Sequence, residues 1–256
     1  MNRYTGRRVL ITGAASGIGQ ATVHRILAEG GRVVGVDVNE EGLKATFDTA
    51  VADGTAERLS TARLDISDEA SVAEGVAAAV RTLGGLDVLV NAAGILRSGH
   101  THTTTLDLFN QIIAVNLTGT FLMIRAAIPA LLEGDEPVIV NFSSTSASFA
   151  HPYMAAYAAS KGGIQSMTHS IASEYSKQGL RAVSVAPGSI ASDMTTGRGP
   201  GLPDDTDWSL FAKLAPAIGE GMAAPETVAG VVAMLGSDDG RFITGTEVRV
   251  DGGTHF

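Results

Sequence analysis

Short β-branched runs alternate with helical stretches along almost the whole chain, and no other feature restricts its fold as tightly. Residues 8–12, 32–37, 61–65, 86–90, the run from Val138, 180–186 and 247–250 read as seven strands. Between them, 17–30, 40–52, a segment capped by Ser67-Asp68-Glu69 and running to Leu83, 106–132, 154–178 and 227–235 read as helices. Repeated βα units imply a parallel sheet covered by helices on both faces, that is, a doubly wound α/β domain. No composition shift marks a second domain within the 256 residues.

Composition narrows the partners. A hydrophobic content of 45% with 18% charged residues suits a soluble globular protein. A net charge of −9 argues against nucleic acid or an anionic membrane. With no cysteine, neither a disulfide framework nor a thiolate zinc site can form. The first apolar run, Val9-Leu10-Ile11, is too short for a signal segment, and no run of about 20 residues reads as apolar enough to span a bilayer. The expectation is a cytoplasmic protein with a small-molecule substrate.

Residues 138–161, VIVNFSSTSASFAHPYMAAYAASK, concentrate the chemistry. Val138-Ile139-Val140 suits a strand buried on both faces. The hydroxyl cluster from Ser143 to Ser148 suits a loop at its carboxyl end, and AAYAASK suits a helix. Tyr157 and Lys161 stand four apart, hence on one helix face. A phenol titrates near about 10, too high for a base at neutral pH. Lowering it by about 3 units takes about 4 kcal/mol, which an ammonium about 4 Å away supplies at an effective dielectric of about 20. Tyr157 would then exchange a proton with an alcohol or carbonyl oxygen that Ser144 holds by hydrogen bond. The pair alone is more often a half-buried ring beside a solvated charge; Ser144, where strand hands over to helix, favours catalysis.

With Ser144 thirteen residues before Tyr157 and Lys161 four after it, the stretch resembles the short-chain dehydrogenase/reductase family. The resemblance implies a single Rossmann-like domain over 1–256 and hydride transfer to or from a nicotinamide. Residues 12–19, TGAASGIG, space their glycines as the family does: Gly13, Gly17 and Gly19, with Ser16 and Ile18 between them. Such glycines let the backbone turn tightly beside a pyrophosphate resting on a helix N-terminus. Asp37, eighteen positions beyond Gly19, suits an acid that accepts from the adenosine ribose hydroxyls and repels a 2′-phosphate, so the expected cofactor is NAD. The alternative role for Asp37, capping the next helix, can be filled by Asn39.

Three further places resemble the family. Asp65-Ile66 matches its adenine-binding pair. Asn91-Ala92-Ala93-Gly94 matches its Asn-Asn-Ala-Gly turn, with Ala92 in place of the second asparagine. Pro187-Gly188-Ser189-Ile190-Ala191-Ser192 matches its segment beside the nicotinamide, Ser192 standing for threonine. The family also carries an asparagine that opens a helix and holds a water linked to the lysine, and the resemblance puts Asn116 in that role. Asn116, Ser144, Tyr157 and Lys161 are thus the catalytic candidates. Ser144, His151 and Ser189 are candidate substrate contacts, and family members usually pair through the last strand and the helix at 154–178, implying a homotetramer.

His100 and His102 lack a nearby acid or third ligand in sequence, so no metal is expected. Arg7-Arg8 and Arg125 read as solvated ends of elements. Residues 193–223, long and without apolar periodicity, read as a lid over the substrate. Gly197, Gly199 and Gly201 would serve as hinges, and Trp208, Leu210, Phe211 and Leu214 as its apolar underside. Its charges sum to −3, which suits neutral, partly apolar substrates. A secondary alcohol or ketone is the first reading. A 3-oxoacyl thioester reductase fits Asp37 and the net charge less well, and a non-catalytic NAD-binding scaffold leaves the catalytic quartet unexplained.

Overall fold

The computed structural model describes residues 2–192, 194, 195, 200–219 and 221–255. Strands β1 (Arg8–Thr12), β2 (Arg32–Asp37), β3 (Leu59–Arg63), β4 (Val88–Asn91), β5 (Val138–Phe142), β6 (Arg181–Pro187) and β7 (Glu247–Val250) form one parallel sheet. Their order is β3-β2-β1-β4-β5-β6-β7. The sequence order reverses direction at the β1–β4 pair, where ligands of open α/β sheets bind beyond the strands' carboxyl ends.

The strand sequences show why both faces must be covered. Val9 and Ile11, Val88 and Val90, Val138 and Val140, and Val183 and Val185 pack into one core. Their neighbours Leu10, Leu89, Ile139 and Ala182 pack into the other. Helices α1 (Gly17–Ala28), α2 (Glu40–Ala52) and α7 (Pro225–Leu235) cover the first face through Val23, Leu43 and Val232. Helices α3 (Glu69–Leu83), α5 (Thr120–Leu131) and α6 (Ala155–Glu174) cover the second through Val76, Met123 and Ile171. Period-two burial on both sides reads in sequence as an unbroken apolar run.

Some boundaries move for physical reasons. β3 lies two residues ahead of the expected 61–65 because it is an edge strand with Ser60, Ala62 and Arg63 exposed, so its apolar alternation is weak. β4 starts at Val88 rather than residue 86: the Asp87 carboxylate accepts from the backbone amides of Arg8 and Asp135 at 2.9 Å each. Asn39 caps α2 by accepting from Gly42, and Asp68 caps α3 by accepting from Ser71. The helix expected at 154–178 ends at Glu174, with a separate 3-10 turn at Ser176–Gln178.

The stretch 106–132 is not one α-helix. It runs as α4 (Leu106–Ile113), a π-helical turn (Ala114–Gly119) and α5. Contrary to the sequence expectation, Leu106–Leu131 is long and apolar enough, by length and composition, to cross a membrane. Here it packs on the sheet through Met123, Ile124 and Leu131. Arg7 is also not a solvated end: it is buried and donates to the carbonyls of Asp135, Glu136 and Gly236. Arg8 pairs with Asp87 and Arg125 with Glu69.

Candidate active site

Two clefts meet above the carboxyl ends of β1, β4, β5 and β6. The first, about 530 Å³, is bounded by Gly13, Ser16, Gly17, Ile18 and Gly19, by Asp37, by Asp65 and Ile66, and by Ala92 to Gly94. The loop before α1 holds its shape only with glycine. Gly13 has φ +71, and a Cβ there would meet Ala92 backbone at 2.8 Å; a Cβ on Gly19 would meet the Gly13 carbonyl at 2.0 Å. Ser16 at the N-cap of α1 makes no side-chain cap bond, so the helix start faces this cleft with its positive dipole end.

Asp37 ends β2 on the cleft wall, accepting from the amides of Ala15 at 3.2 Å and Asn39 at 3.0 Å. Because Asn39 performs the capping of α2, Asp37 is left to the cleft. Asp65 accepts from the amide and hydroxyl of Ser67, bonds that hold its carboxyl below the usual range. Asn91, an expected cofactor contact, turns elsewhere: it is buried off the cleft and donates to Asn141 at 2.8 Å, which donates to Thr168 at 2.9 Å.

The second cleft is a cavity of about 460 Å³ reached by Ser144, Tyr157, Lys161, His151 and the Pro187-Gly188-Ser189-Ile190 segment with Ser192. Ile18, Ala92, Gly94, Phe142 and Ser192 border both spaces. Ser144 follows β5 in extended conformation, its hydroxyl accepting from the Ser146 amide at 3.1 Å and lying close enough to the Tyr157 phenol to pull its titration down. Lys161 is buried one turn further along α6 and donates to the Phe142 carbonyl at 2.8 Å.

The titration of this pair departs from the sequence expectation. Burial pushes the Tyr157 phenol up to about 12, against a downward pull from the Ser144 bond. Burial pulls Lys161 down to about 8. Desolvation disfavours the charged form of both groups and outweighs their mutual attraction, and Lys161 points its proton at a carbonyl rather than at the phenol oxygen.

Asn116 sits in the π-turn, fully buried. Its Oδ1 accepts from the Ile95 amide at 2.8 Å, and its Nδ2 donates to the Ile95 carbonyl at 2.9 Å and the Ser160 hydroxyl at 3.1 Å. It thereby ties the loop after β4 to α6 one residue from Lys161. A Cβ on Gly94 would lie 3.2 Å from Asn116 Oδ1 and 3.6 Å from Lys161 Nζ, so all three groups converge there.

Of the lid expectation, Asp193, Gly197, Arg198, Gly199 and Glu220 lie outside the described residues. Residues 208–214 form a 3-10 helix, Trp208–Leu214. Trp208, Phe211 and Leu214 line the cavity, whereas Leu210 does not. The segment is tied down: the Ser98 amide donates to Pro200, the Asp207 amide donates to the Tyr153 hydroxyl, and Asp205 reaches His100 at 2.8 Å. An acid does therefore stand beside His100, but no metal-binding group of three or more ligands exists among the described residues. Sequence reading missed Leu96, Met154 and Thr254 as cavity residues. Thr254 returns over the site because Gly252 and Gly253 take φ +65 and +74, a turn that the pair Gly252-Gly253 signals.

These features agree with known proteins. A family profile described as enoyl-(acyl carrier protein) reductase matches residues 13–255. The 2,5-dichloro-2,5-cyclohexadiene-1,4-diol dehydrogenase LinX of Sphingobium indicum is 35% identical over 254 residues, 98% of this chain and 97% of that protein. A short-chain dehydrogenase from Mycobacterium paratuberculosis bound to NAD superposes with a TM-score of 0.90 at 30% identity, over 98% of both chains. One from Burkholderia cenocepacia in complex with NADP gives 0.87 at 31%, over 99% of both. Fold, site and relatives define an oxidoreductase of Rossmann type. The chain belongs to the short-chain dehydrogenase/reductase family.

Proposed function

We propose that this protein is an NAD(H)-dependent dehydrogenase that interconverts a secondary alcohol and its ketone. The observation that carries this reading is that the cavity holding Ser144, Tyr157 and Lys161 adjoins the first cleft along Ile18, Ala92, Gly94, Phe142 and Ser192. The first cleft fits a dinucleotide: an uncapped helix start faces it, and Asp37 offers a carboxylate to ribose hydroxyls. NAD and NADP are the ligands of the two solved relatives, and Asp37 with the uncharged Val38 beside it favours NAD. When bound, the nicotinamide supplies the hydride acceptor or donor.

The chain's own residues do the rest. Ser144 orients the substrate oxygen by hydrogen bond, and Tyr157 moves the proton at that oxygen. Held protonated by burial, the phenol is ready to give its proton to a ketone. To take one from an alcohol it needs Lys161 to turn its charge from the Phe142 carbonyl toward the ring. The apolar wall from Trp208, Phe211 and Leu214 excludes water while this happens.

A panel of alcohols, sterols, sugars and ketoacyl thioesters, assayed with NAD and NADP in both directions, tests the reading. Turnover of a secondary alcohol or its ketone is expected, with about a thousandfold loss in Tyr157→Phe while NAD still binds. Near-normal turnover by Tyr157→Phe would overturn the mechanism.

We also propose a homotetramer. Helix α6 contributes none of the large exposed apolar side chains among the described residues; Leu106, Phe109, Phe121 and the fully exposed Phe242 do, and they supply the contact surface.

A further inference from the structure

The polarity of the cavity above Tyr157 restricts what it can hold. Among the described residues lining it, Lys161 is the one amine or guanidinium, and no carboxylate is present. The Lys161 ammonium is directed at the Phe142 carbonyl. An anionic substrate would meet only this one ammonium, already engaged by a carbonyl, with no second cation among the described lining residues to offset its desolvation. The wall is instead built for rings. Trp208 and Phe211 lie 5.5 Å apart at their centroids, and Phe211 is stacked on Tyr153 at 6.1 Å. Leu96 and Met154 complete an apolar surface.

One polar group on this wall has its hydrogen-bonding role fixed by its neighbours. His151 Nδ1 lies 3.2 Å from the Phe149 carbonyl, an atom that can only accept, so Nδ1 carries the proton. Burial opposes a second proton on the ring. Nε2 is then an acceptor, 3.2 Å from the Thr145 hydroxyl. Thr145 has a single proton and a second acceptor within reach, the Pro187 carbonyl at 3.5 Å. When Thr145 serves Pro187, Nε2 is left for a donor on the substrate.

We propose that the substrate is an uncharged, ring-bearing secondary alcohol with a second hydroxyl group. The ring lies against Trp208 and Phe211, and the second hydroxyl donates to His151 Nε2. The proposal rests on the dehydrogenase reading above and adds the substrate class to it.

The test compares cyclohexanol, cyclohexane-1,2-diol, cyclohexane-1,4-diol, 4-hydroxycyclohexanecarboxylate and butan-2-ol, each with NAD and NADP. One of the diols should exceed cyclohexanol in kcat/KM by about five- to tenfold, the worth of one hydrogen bond, with most of the difference in KM. Cyclohexanol should in turn exceed both butan-2-ol and the carboxylate. In His151→Phe the ratio of diol to cyclohexanol should fall to about one. His151→Gln, whose side-chain oxygen also accepts, should restore most of it. Trp208→Ala, at an exposed position that the fold does not need, should cost the ring compounds more than butan-2-ol.

A carboxylate turned over as fast as cyclohexanol would overturn the proposal, as would a preference for butan-2-ol or a diol ratio untouched by both His151 variants. Each of these leaves the dehydrogenase reading standing, because an alcohol is still oxidised. Turnover confined to alcohols outside this set overturns the substrate class alone. Oxidation of no alcohol with either cofactor overturns the reading and the proposal together.

Discussion

Lys161 holds its ammonium 5.6 Å from the centre of the Tyr157 ring while donating its proton to the Phe142 carbonyl. The charge that should activate the phenol is thus stored beside it, buried and costly. Burial lowers Lys161 from 10.5 to about 8, a penalty of about 3 kcal/mol on the charged form. Lys161→Met should therefore stabilise the cofactor-free fold at pH 7 by about 1–2 kcal/mol, after about 1–2 kcal/mol is lost to the orphaned carbonyl. Between about 8 and 10.5 the unfolded chain binds more protons at this site than the folded one, so the unaltered protein gains stability as pH rises. The advantage of the variant should shrink over that window. Urea unfolding at pH 7 and pH 10 would show it.

Asp37 should decide the cofactor. It lies on the cleft wall with both oxygens accepting from backbone amides, so its place is fixed. Asp37→Ala should raise the KM for NAD by about tenfold, the value of a charge-assisted hydrogen bond. It should also narrow the preference over NADP, since Arg63, the register partner of Asp37 on β3, is then no longer offset by it. Competitive binding of the two cofactors by unaltered protein and variant is the check; equal affinity in the unaltered protein would contradict the assignment.

Asn116 should prove structural and functional at once. Asn116→Ala leaves the amide and carbonyl of Ile95 without their partner, at a cost of about 2–4 kcal/mol. Asn116→Asp keeps the acceptor for the Ile95 amide and loses both donations. It should lie between the two in chemical denaturation, and both variants should lose turnover.

Trp208 is the single tryptophan, two-thirds exposed on the cavity rim. Ordering of residues 200–219 over a bound ligand should therefore shift its emission to shorter wavelength and slow protease cleavage in the segment. A ligand shown by calorimetry to bind, with neither change, would mean the segment is no lid.

What could be read in the chain followed from local rules. The inner strands, such as β1, β4, β5 and β6, announced themselves because both faces are buried, and Tyr157, Lys161 and Ser144 because their spacing spans one turn and one loop. Three of the misses are long-range. His100 meets Asp205 across 105 positions, Arg7 is buried by carbonyls from two distant loops, and Asn91 turns to Asn141 on the neighbouring strand. In a strand buried on both sides, alternation cannot say which polar side chain faces a ligand. The π-turn was invisible for a related reason: apolar residues continue through 106–132 at nearly helical spacing, and one additional residue barely disturbs the pattern.

That additional residue matters more than its size suggests. A π-turn is an α-helix that has taken in one position. Remove one codon of the turn 114–119 other than that of Asn116, and the part beyond it swings by about 100° relative to the part before it. The two helices would then run on as one, better bonded than now, with Asn116 aimed away from Ile95. Such a chain would keep its architecture and lose its chemistry. The catalytic arrangement is written partly in the length of the polypeptide, where a frame of comparison by residue type alone would never find it.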